Sequence, residues 1–203
     1  MIFSNEESNI IYCKLYNWLA SHSVGQHTTT KSFFKFYQNN VWDPILNKIN
    51  LIMKKPNPTS EETNFLNLVL YKGTIYRFHN YNPKKRGHIY PMPFYQSWSK
   101  SIDGLLNING YNGKLLLIKG NSNLGIDIFE LLCFLLKNKC ITDFNNLDPK
   151  LLINYENEKE IAHPITIANL EEIYIVLDKN NISKSINENN CLPKEKWFRN
   201  NLN

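Results

Sequence analysis

The sequence predicts an α+β fold in which a helical N-terminal segment, residues 1–60, precedes a strand-bearing core over residues 61–203, the two making one compact unit. Three observations carry this. Apolar residues up to Met53 recur at helical intervals. From Leu66 onward they gather in short β-branched and aromatic runs separated by Gly, Asn and Pro. Between the two regimes, Lys55-Pro56-Asn57-Pro58-Thr59-Ser60 punctuates the chain. With 203 residues, 42% of them hydrophobic, the chain can bury a real core, whereas two full-sized domains would be crowded.

The elements follow in order. Ile10, Ile11, Leu15, Trp18 and Leu19 stand three and four residues apart, which predicts a helix from Glu7 to about Ser21. A polar break over Ser23 to Thr30 leads to a second helical pattern near Lys31, with Phe33, Phe34 and Tyr37. A third runs from Asp43 to Met53, with Asp43 as its N-cap and Pro44 at the first helical position. Ser60-Glu61-Glu62-Thr63 opens a short helix or turn. Strands are expected over Val69 to Phe78, Lys114 to Lys119 and Leu170 to Leu177, the last at a sheet edge because charge interrupts it. Ile126 to Lys137 places Ile128, Leu131, Leu132 and Leu135 on one helical face. In the Asn-rich tail, Trp197 and Phe198 are expected to dock a final turn.

Bulk chemistry narrows the function. Against 23 basic residues stand 18 acidic ones, and apart from Lys54-Lys55 and Lys84-Lys85-Arg86 the basic residues are scattered. A nucleic-acid binder concentrates them on a stripe, so no nucleic-acid partner is expected. Cys13, Cys133, Cys140 and Cys191 lack the spacing of a zinc or redox motif and read as buried thiols in a reducing compartment. The five histidines include no His-x-x-x-His pair, no Walker or Rossmann loop is present, and no metal is expected. The apolar run Leu131 to Leu136 is far short of the roughly 20 residues that cross a bilayer, and Met1 to Glu7 lacks the basic and apolar regions of a secretory signal. The expectation is a soluble chain without a membrane span.

Three segments carry chemistry. Leu70-Tyr71-Lys72-Gly73-Thr74-Ile75-Tyr76-Arg77 ends an apolar run in a guanidinium, whose planar fork suits phosphate oxygens. Phe94-Tyr95-Gln96-Ser97-Trp98-Ser99-Lys100-Ser101 clusters hydroxyls, which elsewhere commonly satisfy backbone groups at a strand end. Glu158-Lys159-Glu160-Ile161-Ala162-His163-Pro164 sets two carboxylates two residues apart, on one face if the run is a strand.

In that order the segments resemble the Arg, Ser-x-Ser and Glu-x-Glu signature of the mono-ADP-ribosyltransferases of bacterial toxin and effector type. Lys114-Leu115-Leu116-Leu117-Ile118 with Gly125-Ile126-Asp127-Ile128 looks like the stretch that precedes the carboxylates in that family. The resemblance covers residues 66 to 178. It implies a mixed or antiparallel two-sheet core and NAD as co-substrate. Arg77 would contact the diphosphate, and Ser97 would brace the catalytic carboxylate and contact the ribose, with Ser99-Lys100-Ser101 as a competing register. Glu160 would be the catalytic carboxylate, Glu158 would orient or deprotonate the acceptor, with arginine favoured, and Tyr155 would recognise the protein substrate. The chain departs from the family in the long interval between Ile128 and Glu158, where an inserted helix over Phe129 to Lys139 is expected.

The expected activity is transfer of ADP-ribose from NAD to a host or target protein, by a secreted virulence effector delivered along a Sec-independent route. Two alternatives use the same fold. One is a NAD glycohydrolase with water as acceptor. The other is a non-catalytic interaction module whose docking surface is Trp42, Trp98, Phe33-Phe34 and Phe94-Tyr95. Oligomeric state is not legible in the sequence.

Overall fold

A computed structural model describes residues 2–23, 31–81, 92–108, 111, 113–137, 155–187 and 191–192. The expected turn at Trp197 and Phe198, the end of the inserted helix past Lys137, and Cys140 lie outside these residues.

Helix α1 spans Asn5–Ser23 and starts two residues earlier than its apolar pattern, because Ser4 and Glu7 bond reciprocally at its head. Its buried stripe is Ser8, Ile11, Tyr12, Leu15, Trp18 and Leu19, while Ile10 stands off the stripe and is 44% exposed. Helix α2, Lys31–Tyr37, runs through a π-helical turn at Gln38–Trp42 straight into α3, Asp43–Met53. Asp43 therefore does not cap a helix. Its N–H bonds Gln38 O and its carboxylate accepts from Gln38 Nε2 at 2.6 Å. Pro44 has no N–H to offer the preceding turn, and the wider π turn absorbs that loss. Helix α4, Ser60–Val69, carries a capping box between Thr59 and Glu62 and continues through Leu66, where strand character was expected.

The further elements among the described residues are β1 (Leu70–Asn80), β2 (Met92–Ser99), α5 (Ile102–Asn107), β3 (Leu115–Asp127), α6 (Ile128–Lys137), β4 (Glu160–Ile165), β5 (Leu170–Val176) and a C-terminal helix, Ile182–Asn187, with single 3-10 turns at Ile167–Asn169 and Lys179–Asn181. The two segments Lys114 to Lys119 and Gly125 to Ile128 thus belong largely to one long strand.

All strand pairings are antiparallel, in the order β1-β2-β4-β3-β5, with β1 also paired to β3. Strand β3 organises the sheet. Along β1 it pairs from Leu70↔Ile126 to Asn80↔Leu115, on its opposite edge it pairs first with β5, and at Ile126↔Ala162 and Asp127↔Ile161 it meets β4. Because β1 touches β2 at Tyr76↔Ser99 and β2 pairs along β4, the four strands close on themselves. Strand β5 remains at the edge, as its charged pattern predicts. The β3–β4 corner needs a glycine, since a Cβ on Gly125 would lie 2.6 Å from both Ile161 Cγ2 and Ser122 Oγ.

Three apolar clusters hold these parts. The largest joins α1 to α4 and α6 to Tyr95, Ile126, Tyr155 and Ala162, so residues 1–60 share a core with the strands. A second gathers Ile75, Trp98, Leu116, Ile118, Ile161, Ile165, Leu170 and Ile173 between the strands. The third lies where α5 and the C-terminal helix cover β1, β3 and β5. Each large side chain fully buried here contributes roughly 1.5–3 kcal/mol.

Two sequence expectations fail on burial. Cys13 and Cys191 are exposed and Cys133 is half-buried, all unpaired; Cys13 falls on the solvent side of α1 and Cys191 lies beyond the helix Ile182–Asn187. Trp42 and Trp98 are 0% and 1% exposed, and Phe34 and Tyr95 are also buried. Four of the six residues expected to form the aromatic docking surface of an interaction module are therefore core, and Phe33 and Phe94 are half-buried against it.

Candidate active site

The site is built where β2 ends and β4 begins. Directly paired residues on neighbouring strands present their side chains to the same face. Tyr76↔Ser99 and Ser99↔Glu160 therefore set Tyr76, Ser99 and Glu160 in one row across β1, β2 and β4. Ser97 stands opposite Ala162, two residues farther along β4. Between the two competing serine registers, the geometry puts Ser99 beside Glu160.

The serine cluster is clipped to the carboxylate segment by main-chain and hydroxyl bonds. Ser99 Oγ donates to Glu158 O at 2.8 Å, so it braces the backbone of the pair and not the Glu160 carboxylate. Lys100 N donates to Lys159 O at 3.0 Å. Ser101 caps α5, its Oγ accepting from Gly104 N at 3.0 Å. Asn107 Nδ2, at the end of α5, reaches Asn157 O at 2.9 Å. Gly104 is packed so closely under these groups that a Cβ would meet Ser99 Oγ at 2.5 Å and Glu158 O at 2.6 Å.

Glu158 and Glu160 are not two residues of one strand. Residues 155–158 are helical, Lys159 has φ 51° in the left-handed region, and β4 starts at Glu160. The left-handed turn at Lys159 breaks the alternation that would have set the carboxylates side by side, yet Glu158 still feels the charge of Glu160. Burial, followed by the charge of Glu160, pushes the Glu158 carboxyl up to about 8. Glu158 is the half-buried member, and Glu160 is 2% exposed.

Glu160 Oε1 accepts from Trp18 Nε1 at 3.0 Å, across 142 residues of chain. Trp18 is itself fully buried among Tyr37, Trp42 and Phe33, at ring-centre distances of 4.9, 5.3 and 5.7 Å. Nothing in the sequence singled Trp18 out from the rest of an apolar stripe. The one available signal was chemical: a buried indole N–H usually finds an acceptor, although that of Trp42 has none here.

Arg77 is not brought to this row. It follows Tyr76 and stands opposite Ile118, on the side where Ile75, Ile118 and Trp98 pack. Its Nη1 donates to Ser97 O, fastening β1 to β2, and its Nε is buried without a hydrogen-bond partner. His79 lies two residues on, where burial and the Arg77 charge push its imidazole down to about 4. Burial pushes the His163 imidazole down, and its Nδ1 lies 2.7 Å from Pro164 O and its Nε2 3.2 Å from Asn169 Nδ2. Tyr155 is 3% exposed in the largest apolar cluster, so its ring is packed inside and is not presented to a docking protein.

Asp127, within the Gly125 to Ile128 stretch, has two structural tasks. Its Oδ1 accepts from Glu130 N at 3.2 Å at the head of α6, and its Oδ2 holds Lys100 Nζ at 2.7 Å. That ion pair ties the middle residue of Ser99-Lys100-Ser101 to the β3–β4 corner. Among the described residues no group of three or more His, Cys, Asp or Glu side chains could hold a metal ion, and no helix is long and apolar enough to cross a membrane. The chain matches no protein-family model, no curated protein and no solved structure.

Proposed function

We propose that the chain transfers ADP-ribose from NAD to a protein side chain and releases nicotinamide. The observation that carries this reading is the coupled pair Glu158 and Glu160 at the head of β4, with Ser99 in register beside it. A carboxylate pair in which burial and the neighbour's charge push one member up suits cleavage and transfer at a glycosidic centre, where one carboxylate stabilises positive charge and the other handles a proton.

In the proposed reaction the bond from ribose C1′ to the nicotinamide nitrogen breaks, and its electron pair leaves with neutral nicotinamide. Ionised Glu160 stabilises the oxocarbenium character left on the ribose. The acceptor nitrogen forms the new bond to C1′, and its proton passes to Glu158. A value of about 8 keeps Glu158 protonated at rest but near the working pH of a general base. A guanidinium entering beside it favours the ionised form, which agrees with an arginine acceptor. Glu158 is the more exposed of the two carboxylates. This reading rests on Glu158, Glu160 and Ser99. The diphosphate contact expected of Arg77 is not carried by its position. That the acceptor protein belongs to a host cell, and the chain to a toxin or effector, follows from the motif resemblance alone.

The test is purified protein with NAD labelled in the nicotinamide and, separately, in the adenosine. Wild type should release nicotinamide and label protein in a lysate, and Glu160→Ala should do neither. Release without labelled protein would identify a glycohydrolase. Equal inertness of wild type and Glu160→Ala toward NAD and lysate acceptors would refute the proposal.

A further inference from the structure

We propose that Trp18 is a positioning residue for Glu160: its indole N–H, immobilised inside the helical layer, orients the carboxylate and leaves the second oxygen for the reacting ribose. The inference rests on the transfer reading for its catalytic consequence, but the bond and its effect on the carboxylate pair stand without NAD.

The geometry is specific. The indole nitrogen only donates, and at 3.0 Å from Glu160 Oε1 it engages one carboxylate oxygen. Neither residue can swing away cheaply, since Trp18 is 0% and Glu160 2% exposed. The indole is wedged by Tyr37 and Trp42 in near-perpendicular ring contacts of 73° and 90°. A donor that never accepts favours the charged form of its partner. It therefore suits a charged Glu160 beside a Glu158 whose carboxyl burial pushes up. Of the other titratable groups near the junction, Lys100 is held by Asp127 at 2.7 Å, Lys159 stands between the two carboxylates in the chain, and Tyr37 is the ring packed on the indole. On this inference residues 1–60 are part of the site, through a contact that no strand residue supplies.

The experiment uses the full chain as wild type and Trp18→Phe, which keeps aromatic packing and loses the N–H. Carboxyl NMR titration should show the lower step of the Glu158–Glu160 pair rising by about one pH unit or more, because a charge-assisted bond favours the ionised form by about tenfold or more. Nicotinamide release should fall by a similar factor, in kcat more than in KM. An unmoved titration with lower stability would make Trp18 ordinary core and overturn the inference. Faster release in Trp18→Phe would also overturn it, since the indole would then be a cover over the carboxylate. Should Trp18→Phe not fold, the indole N–H resonance of wild type decides. It should titrate with the pair, and lose that titration in Glu160→Gln; indifference to both overturns the inference. A wild type inert toward NAD but with the predicted titration would refute the transfer reading and leave the positioning contact standing.

Discussion

Replacing Glu158 with Gln should turn a pH-dependent stability term into a flat one. In the folded chain the Glu158 carboxyl sits up to about 8, against 4.5 ordinarily, so between those values the native state holds a proton that the unfolded chain releases. Stability from this group is therefore fully present below about pH 4.5 and is lost as pH rises through about 8. At about 1.36 kcal/mol per pH unit the whole interval amounts to about 5 kcal/mol, and solvent reaching the half-buried carboxyl reduces this to on the order of 2 kcal/mol. Glu158→Gln has no proton to lose. It should match wild type near pH 4.5 and exceed it by on the order of 2 kcal/mol above about pH 8, or about 4–8 °C in Tm for a chain of this size. Urea denaturation across this range is the assay, read as variant minus wild type. The difference matters because His79, pushed down to about 4, loses stability as pH falls from 6.5, and that contribution cancels between the two proteins. Parallel curves, or a wild type that gains on the variant toward high pH, would refute the buried coupling of the two carboxylates. Glu156→Gln, at an exposed neighbour, should track wild type.

Two backbone predictions probe the same junction. Gly104→Ala drives a methyl to within 2.6 Å of Ser99 Oγ and Glu158 O, so it should cost about 1–3 kcal/mol in chemical denaturation and disturb the pair's titration; an unchanged titration would separate α5 from the site. Lys159→Val places a β-branched residue at φ 51° and should destabilise by about 1–2 kcal/mol, whereas Lys159→Gly should be tolerated within about 0.5 kcal/mol, since only glycine enters that region without strain.

Local signals carried far along this chain. The stripe through Leu15 and Trp18 announced α1, Ser60-Glu61-Glu62-Thr63 announced the start of α4, and charge within Leu170 to Leu177 placed β5 at an edge. Misreadings came where a neighbour outside the local window intervened. Gln38 took the Asp43 carboxylate and the helix ran on through a π turn. The left-handed Lys159 separated Glu158 from β4, which no alternation pattern can foresee.

The sequence by itself determined the α+β class and the order of the three chemical segments. These follow from periodicity and short-range preferences, which are written in consecutive residues. Only the tertiary structure decided that Ser99 faces Glu160, that Arg77 belongs to the other side of β1, that Tyr155 is core, and that Trp18 holds the carboxylate. Register, burial and the charge felt by Glu158 depend on groups far apart in the chain, whose distances exist only once the helical layer has closed over the strands.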